Sequence, residues 1–169
     1  LKRAAPPDAY MLPALEAPTN QTLRSLRAAY FRSMELNLGS PIAGRLLIDK
    51  NPGFNYLITP FARVFPETKF LIALRDPRDV VLSCFMQLQQ LSPVTAAFLS
   101  LEGTATDYAD VMSLWRTLKP MLPGRHLEVR YEDMVADLES VARKTLGFLE
   151  VPWDDRVLGF NEHARKKMV

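Results

Sequence analysis

The sequence predicts a three-layer α/β fold, a parallel sheet flanked by helices, and three observations carry that expectation. The run Phe70-Leu71-Ile72-Ala73-Leu74 is continuously apolar, as a strand covered on both faces should be. It is followed at once by helix-start signals, with Asp76 at the cap, Pro77 at the first position and Asp79 where a capping-box acid belongs. Stretches of helical and strand period then alternate along 169 residues, nearly half of them apolar, a length that buries a single core.

Taken in order, Ala5 to Pro18 holds four prolines and reads as an irregular lead-in, residues 1–18. Leu23, Leu26, Tyr30, Met34 and Leu38 form one helical stripe, stopped by Gly39 and Pro41. Leu46-Leu47-Ile48 reads as a short buried strand running into the loop Asp49-Lys50-Asn51-Pro52-Gly53. Phe54, Leu57, Ile58, Phe61 and Phe65 keep helical spacing, with Pro60 forcing a kink or a restart capped by Thr59. With the strand at residues 70–74, this makes a β-α-β unit and at least three parallel strands in all, too few for a self-sufficient sheet. The stretch Leu91 to Gly103 is a loop or a broken helix, and Tyr108, Val111, Met112, Trp115, Leu118 and Met121 mark a further helix. His126 to Tyr131 alternates as a strand; Leu138, Val141, Ala142, Thr145 and Leu149 build a helix. Pro152-Trp153 leads into a last helix that ends in charges.

Composition excludes several classes. A net charge of +2 announces neither a nucleic-acid nor a membrane partner, although the basic balance tolerates anionic ligands. One cysteine rules out an internal disulfide framework, and one cysteine with two histidines argues against a structural zinc site. No apolar run approaches membrane-spanning length. The want of disulfide pairs favours the cytoplasm. The chain opens Leu1-Lys2-Arg3 without an initiator methionine, which reads as a piece of something longer.

The chemistry concentrates at residues 70–87. Arg75 ends the strand, and Ser83 lies seven residues past the cap, returning to nearly the same helical face at about 100° per residue. The two would point into one crevice at the carboxyl end of a strand, where an anion fits. The plainer reading pairs Arg75 with Asp79 and lets Ser83 bond its own backbone. His126, His163, Cys84, Trp115 and Trp153 read as structural or surface residues, and Arg165-Lys166-Lys167 as a solvated helix end.

Four ordered segments resemble the sulfotransferase family, especially its bacterial tetratricopeptide-associated and tyrosylprotein branch. They are Asp49-Lys50-Asn51-Pro52; Phe65-Pro66 with Arg75-Asp76-Pro77-Arg78-Asp79 and Ser83; Val129 to Asp137; and Phe148-Leu149-Glu150-Val151-Pro152-Trp153. Together they cover roughly residues 46–160, so that residues 1–169 would be part of one such domain, the carboxyl-terminal part, with a P-loop-type fold left incomplete. The resemblance implies that Arg75 and Ser83 hold the 3′-phosphate of 3′-phosphoadenosine 5′-phosphosulfate, the co-substrate. A guanidinium suits a phosphate through charge-assisted, bidentate bonds. It further implies that Tyr131 packs beside the adenine, against the plainer reading of a core tyrosine, and that Lys50 contacts the sulfuryl group and bridging oxygen, against that of a solvated loop lysine. No metal is implied.

The departures also matter. Pro52 stands where cytosolic members carry a histidine, so the general base is not identified. No G-x-x-x-x-G-K-[ST] loop occurs in the chain, and the family's first phosphate loop would precede residue 1. The family's closing basic segment would follow Val169, so the isolated fragment is expected to lack turnover. The implied reaction moves a sulfuryl group from the co-substrate to a hydroxyl or amine acceptor, which stays open among protein tyrosine, carbohydrate and small molecule, and tetratricopeptide repeats in the parent chain are a possibility. Two other functions compete: a P-loop nucleotide phosphotransferase, and a non-catalytic module on a sulfotransferase scaffold.

Overall fold

The computed structural model describes residues 19–87, 90, 92 and 95–159. Where length alone implied one core, the chain divides into two compact units, Leu1–Thr68 and Lys69–Val169. The lead-in at residues 1–18, His163 and the basic run at 165–167 lie outside the described residues.

In the first unit, α1 (Asn20–Leu38) is capped by Thr19, whose hydroxyl accepts from the Thr22 amide at 3.1 Å, and it ends on Gly39 at φ 63°. The covered face is turned from the one expected. Leu23, Arg27, Tyr30, Phe31 and Met34 are half-buried, while Leu26 and Leu38 are exposed. The reason is an aromatic cluster: Tyr30 and Phe31 meet Phe65 edge-on, and Phe61 lies 4.5 Å from Phe65 between ring centroids. Arg27 lies over Phe31 and Phe65 at 5.3 and 5.2 Å and pairs with Glu67, so a cation belongs to this face.

Leu46-Leu47-Ile48 is not a strand, and Leu46 and Ile48 are exposed. An extended run becomes a strand only when a neighbour completes its hydrogen-bond ladder, and no such neighbour exists among the described residues. The expected β-α-β unit therefore does not form here. The helical stretch restarts as expected, a 3₁₀ turn (Pro52–Leu57) giving way to α2 (Ile58–Val64). Its cap is Leu57, without a side-chain bond, and not Thr59. Pro60 falls in the first turn, where a missing N–H costs nothing.

The second unit is built on two strands, β1 (Phe70–Leu74) and β2 (His126–Arg130), paired in parallel with Leu74 opposite Arg130. Among the described residues this is the whole sheet, against the three strands expected. Nor is β1 covered on both faces: Phe70 is buried, but Leu71 and Ala73 face outward. The crossover contains α3 (Pro77–Met86) and α4 (Leu101–Leu118). The ambiguous stretch resolves into a 3₁₀ turn (Thr95–Leu99) and a Ser100 cap, whose hydroxyl accepts from the Gly103 amide at 3.0 Å. Trp115 is buried and donates to Glu128 at 2.8 Å, while Lys119 takes the other Glu128 oxygen at 2.8 Å. Glu128 thus satisfies a buried indole and an ammonium together. His126 bonds the Leu122 carbonyl at 2.9 Å and meets Trp115 edge-on, a structural role as expected.

After β2 come α5 (Tyr131–Ala136) and α6 (Leu138–Leu149). The expected stripe of α6 is half-buried throughout. The helix closes on Glu150, a non-glycine residue at φ 60°, with the Val151 amide returning to Leu146. Lys69 donates to the last-turn carbonyl of Phe148 at 2.8 Å and to Glu150 at 2.7 Å, a cation placed where the helix dipole favours it. Trp153 stacks under Arg143 at 3.9 Å, consistent with packing. Beyond it, the expected last helix is a 3₁₀ turn (Asp155–Gly159) as far as it is described.

Candidate functional site

The parallel pairing brings two chain segments side by side at the carboxyl ends of β1 and β2, the edge where open α/β sheets receive ligands. Arg75 follows the last residue of β1, and Tyr131 follows the last residue of β2. Their side chains meet: the guanidinium carbon lies 4.7 Å from the Tyr131 ring centroid. Tyr131 opens α5 and does not extend the strand, and at 45% exposure it is no core tyrosine.

Arg75 also contacts Asp79, with Nη2 at 3.1 Å and Nε at 3.3 Å from one carboxylate oxygen. The pairing considered from sequence is therefore present. Both partners are solvent-exposed, at 42% and 56%, and ion pairs of that kind hold weakly. Ser83 is half-buried one turn further along α3, where its hydroxyl accepts from Gln87 at 3.4 Å and makes no bond to its own helix carbonyls among the bonds described. Arg75, Asp79 and Ser83 thus follow one another at intervals of four, which keeps them on one side of the turn and helix. The structure brings Arg75 and Tyr131 into contact and sets Ser83 along the same face. Cys84, next to it, is half-buried.

The turn that aims Arg75 is held more firmly than local sequence signals suggested. Asp76 caps α3 through the Arg78 amide at 2.9 Å, and its bonds to Arg78 keep its carboxyl well below the usual carboxylate range. Asp79 does not return to the cap as a capping box would. The Asp76 amide is taken instead by Glu132 at 2.7 Å, a residue missed from sequence because it comes from β2's side, 56 positions away. Bonds from its own amide and from that of Asp76 lower the Glu132 carboxyl.

Lys50 lies in the first unit, exposed on the loop after Ile48. Its neighbour Asp49 accepts a 2.8 Å bond from the Tyr30 hydroxyl, and burial together with that bond pushes the Tyr30 phenol up. Among the described residues no cluster of His, Cys, Asp or Glu could hold a metal ion.

A model of the sulfotransferase family matches residues 2–155, spanning both units. The chain belongs to that family. Among curated proteins, it is 30% identical over 151 residues to protein-tyrosine sulfotransferase 1 of Danio rerio, covering 85% of this chain and 39% of that protein. It is 27% identical over 133 residues to protein-tyrosine sulfotransferase A of Caenorhabditis elegans, covering 74% of this chain and 33% of that one. This sulfotransferase-family chain therefore spans well under half the length of these relatives. Among solved structures, the sulfotransferase domain from the curacin biosynthetic pathway aligns with a TM-score of 0.54 at 24% identity, over 78% of this chain and 46% of that domain. That likeness bears on the fold, and it agrees with the helix-flanked parallel α/β arrangement expected from sequence.

Proposed function

We propose that this chain supplies the 3′-phosphate and adenine half of a sulfotransferase site whose donor is 3′-phosphoadenosine 5′-phosphosulfate. The single observation behind this reading is the Arg75–Tyr131 stack at the carboxyl ends of two parallel strands. A guanidinium carried over an aromatic ring can still offer N–H groups to a phosphate, while the ring supplies a face on which a purine can pack. Asp79 occupies those N–H groups through an exposed bond that a dianion can replace. Ser83 adds a directed hydroxyl.

In the whole domain, the acceptor oxygen forms a bond to sulfur as the bridging S–O bond to the 5′-phosphate breaks, and a base takes the acceptor's proton. That chemistry rests on positioning and on offsetting charge at the leaving oxygen. In this reading Lys50 contributes the cation at the bridging oxygen, and the base is supplied by a residue not identified in this chain. The names of the Danio rerio and Caenorhabditis elegans relatives favour a tyrosine hydroxyl of a protein as acceptor over a carbohydrate or small molecule. The phosphotransferase alternative gains no support, since the family model that matches residues 2–155 is that of sulfotransferases.

Calorimetric titration tests the reading. Adenosine 3′,5′-bisphosphate should bind more tightly than adenosine 5′-phosphate, and Arg75→Ala should erase that difference. Equal affinity of the unaltered chain for the two nucleotides would sink the assignment and favour a non-catalytic module.

A further inference from the structure

Glu132 adds a side-chain connection between the ends of the two strands, made to a backbone amide. Its Oε1 accepts from the Asp76 N–H at 2.7 Å, although the two residues are 56 positions apart. That N–H belongs to the peptide unit joining Arg75 to Asp76. A peptide unit is planar, so fixing its orientation fixes the ψ angle of Arg75, and with it the direction in which the Arg75 side chain leaves the strand. The neighbour of Glu132 in the chain, Tyr131, holds the far end of the same side chain at 4.7 Å. Arg75 is thereby referenced twice to residues 131–132, once at its backbone and once at its guanidinium.

The second oxygen of Glu132 is informative as well. Although the residue as a whole is half-exposed, Oε2 is buried and has no hydrogen-bond partner among the described residues; the Arg130 guanidinium stands 3.7 Å away. A shielded carboxylate oxygen without a hydrogen-bond donor costs free energy, which the nearby Arg130 charge and the bond made at Oε1 offset. Helix capping does not account for it. Asp79 stands at the capping-box position of α3 yet turns to Arg75, and the amide it would have served is served from the first turn of α5, just beyond the other strand.

We infer that Glu132 is a positioning residue, setting the direction of Arg75 for a ribose 3′-phosphate. This rests on the donor reading above. The acid does not touch the nucleotide; it acts through the Arg75–Asp76 peptide. Its removal should therefore weaken recognition of the 3′-phosphate while leaving the adenine and the 5′-phosphate alone.

Two variants test this, Glu132→Met, which keeps the volume and removes the acceptor, and Glu132→Gln, which keeps an acceptor oxygen. Each is titrated with adenosine 3′,5′-bisphosphate and with adenosine 5′-phosphate. The expected result for Glu132→Met is an affinity loss of about tenfold for the bisphosphate, the scale of one lost hydrogen bond to a charged group, and less than about twofold for the monophosphate. Glu132→Gln should restore the bisphosphate to within about threefold. Equal losses for both nucleotides, no loss, failure of Glu132→Gln to restore binding, or a Glu132→Met protein that no longer folds would each overturn the inference. If the unaltered chain shows no preference for the bisphosphate, the donor reading has failed instead.

Discussion

Asp79 occupies the guanidinium that a phosphate would need, so Asp79→Asn should tighten nucleotide binding. The magnitude follows from the exposure of the pair, 42% for Arg75 and 56% for Asp79, which places it among surface ion pairs worth about 0.2–1 kcal/mol. At that strength the pair is closed roughly 60–85% of the time, and the competent fraction of Arg75 is correspondingly reduced. Removing the competitor should raise affinity for adenosine 3′,5′-bisphosphate by about two- to sixfold. Asparagine remains acceptable in the first turn of α3, and the Asp76 cap is untouched. Isothermal titration at low and high salt provides the assay, because screening should shrink the difference between the two proteins. An Asp79→Asn protein that binds the bisphosphate no better, or more weakly, would refute the competition argument and recast Asp79 as an orienting partner of Arg75.

Two further outcomes concern the scaffold. Lys69→Met removes a charged donor from the Phe148 carbonyl and a cation from the end of α6, and should cost about 2 kcal/mol in urea unfolding. Glu150, at 83% exposure, is screened by water, so Glu150→Gln should change the same transition far less; equal effects would contradict this division. Lys119 and Trp115 bond Glu128 and hold its carboxyl below its ordinary value, so the stability it confers is complete above the unfolded value and fades as pH falls through the folded one. Unfolding measured between about pH 3 and 7 should therefore show a shallower acid limb in Glu128→Gln, and parallel curves would count against it.

The turn at Asp76 was legible because its signals are local: an apolar run, an acid, a proline and a helix face follow one another within a few residues. The Asp76 cap and Pro77 stand where they were read. Local signals fail where the partner is distant. The capping-box position of Asp79 carried the right residue type, yet the amide went to Glu132 across the sheet. Leu46-Leu47-Ile48 has strand composition, but strand formation depends on a neighbour that the pattern of three residues cannot specify. The face of α1 was misjudged for a related reason: Arg27 looks solvated by type, yet aromatic rings and Glu67 hold it half-buried on the covered face. Arg75 was singled out by its place at the end of the strand and Tyr131 through family likeness, but their mutual contact is visible only in three dimensions.

Parallel pairing over so long a separation has a kinetic consequence. Arg75 and Tyr131 share no contact until the chain between them has closed into a loop of more than fifty residues, whose entropy is repaid only when the ladder between β1 and β2 is complete. α3 and α6 can nucleate early, since their caps are local. The edge that carries Arg75 and Tyr131 thus belongs to the last cooperative step of this unit's assembly, and a refolding intermediate with native helical content would still lack their contact.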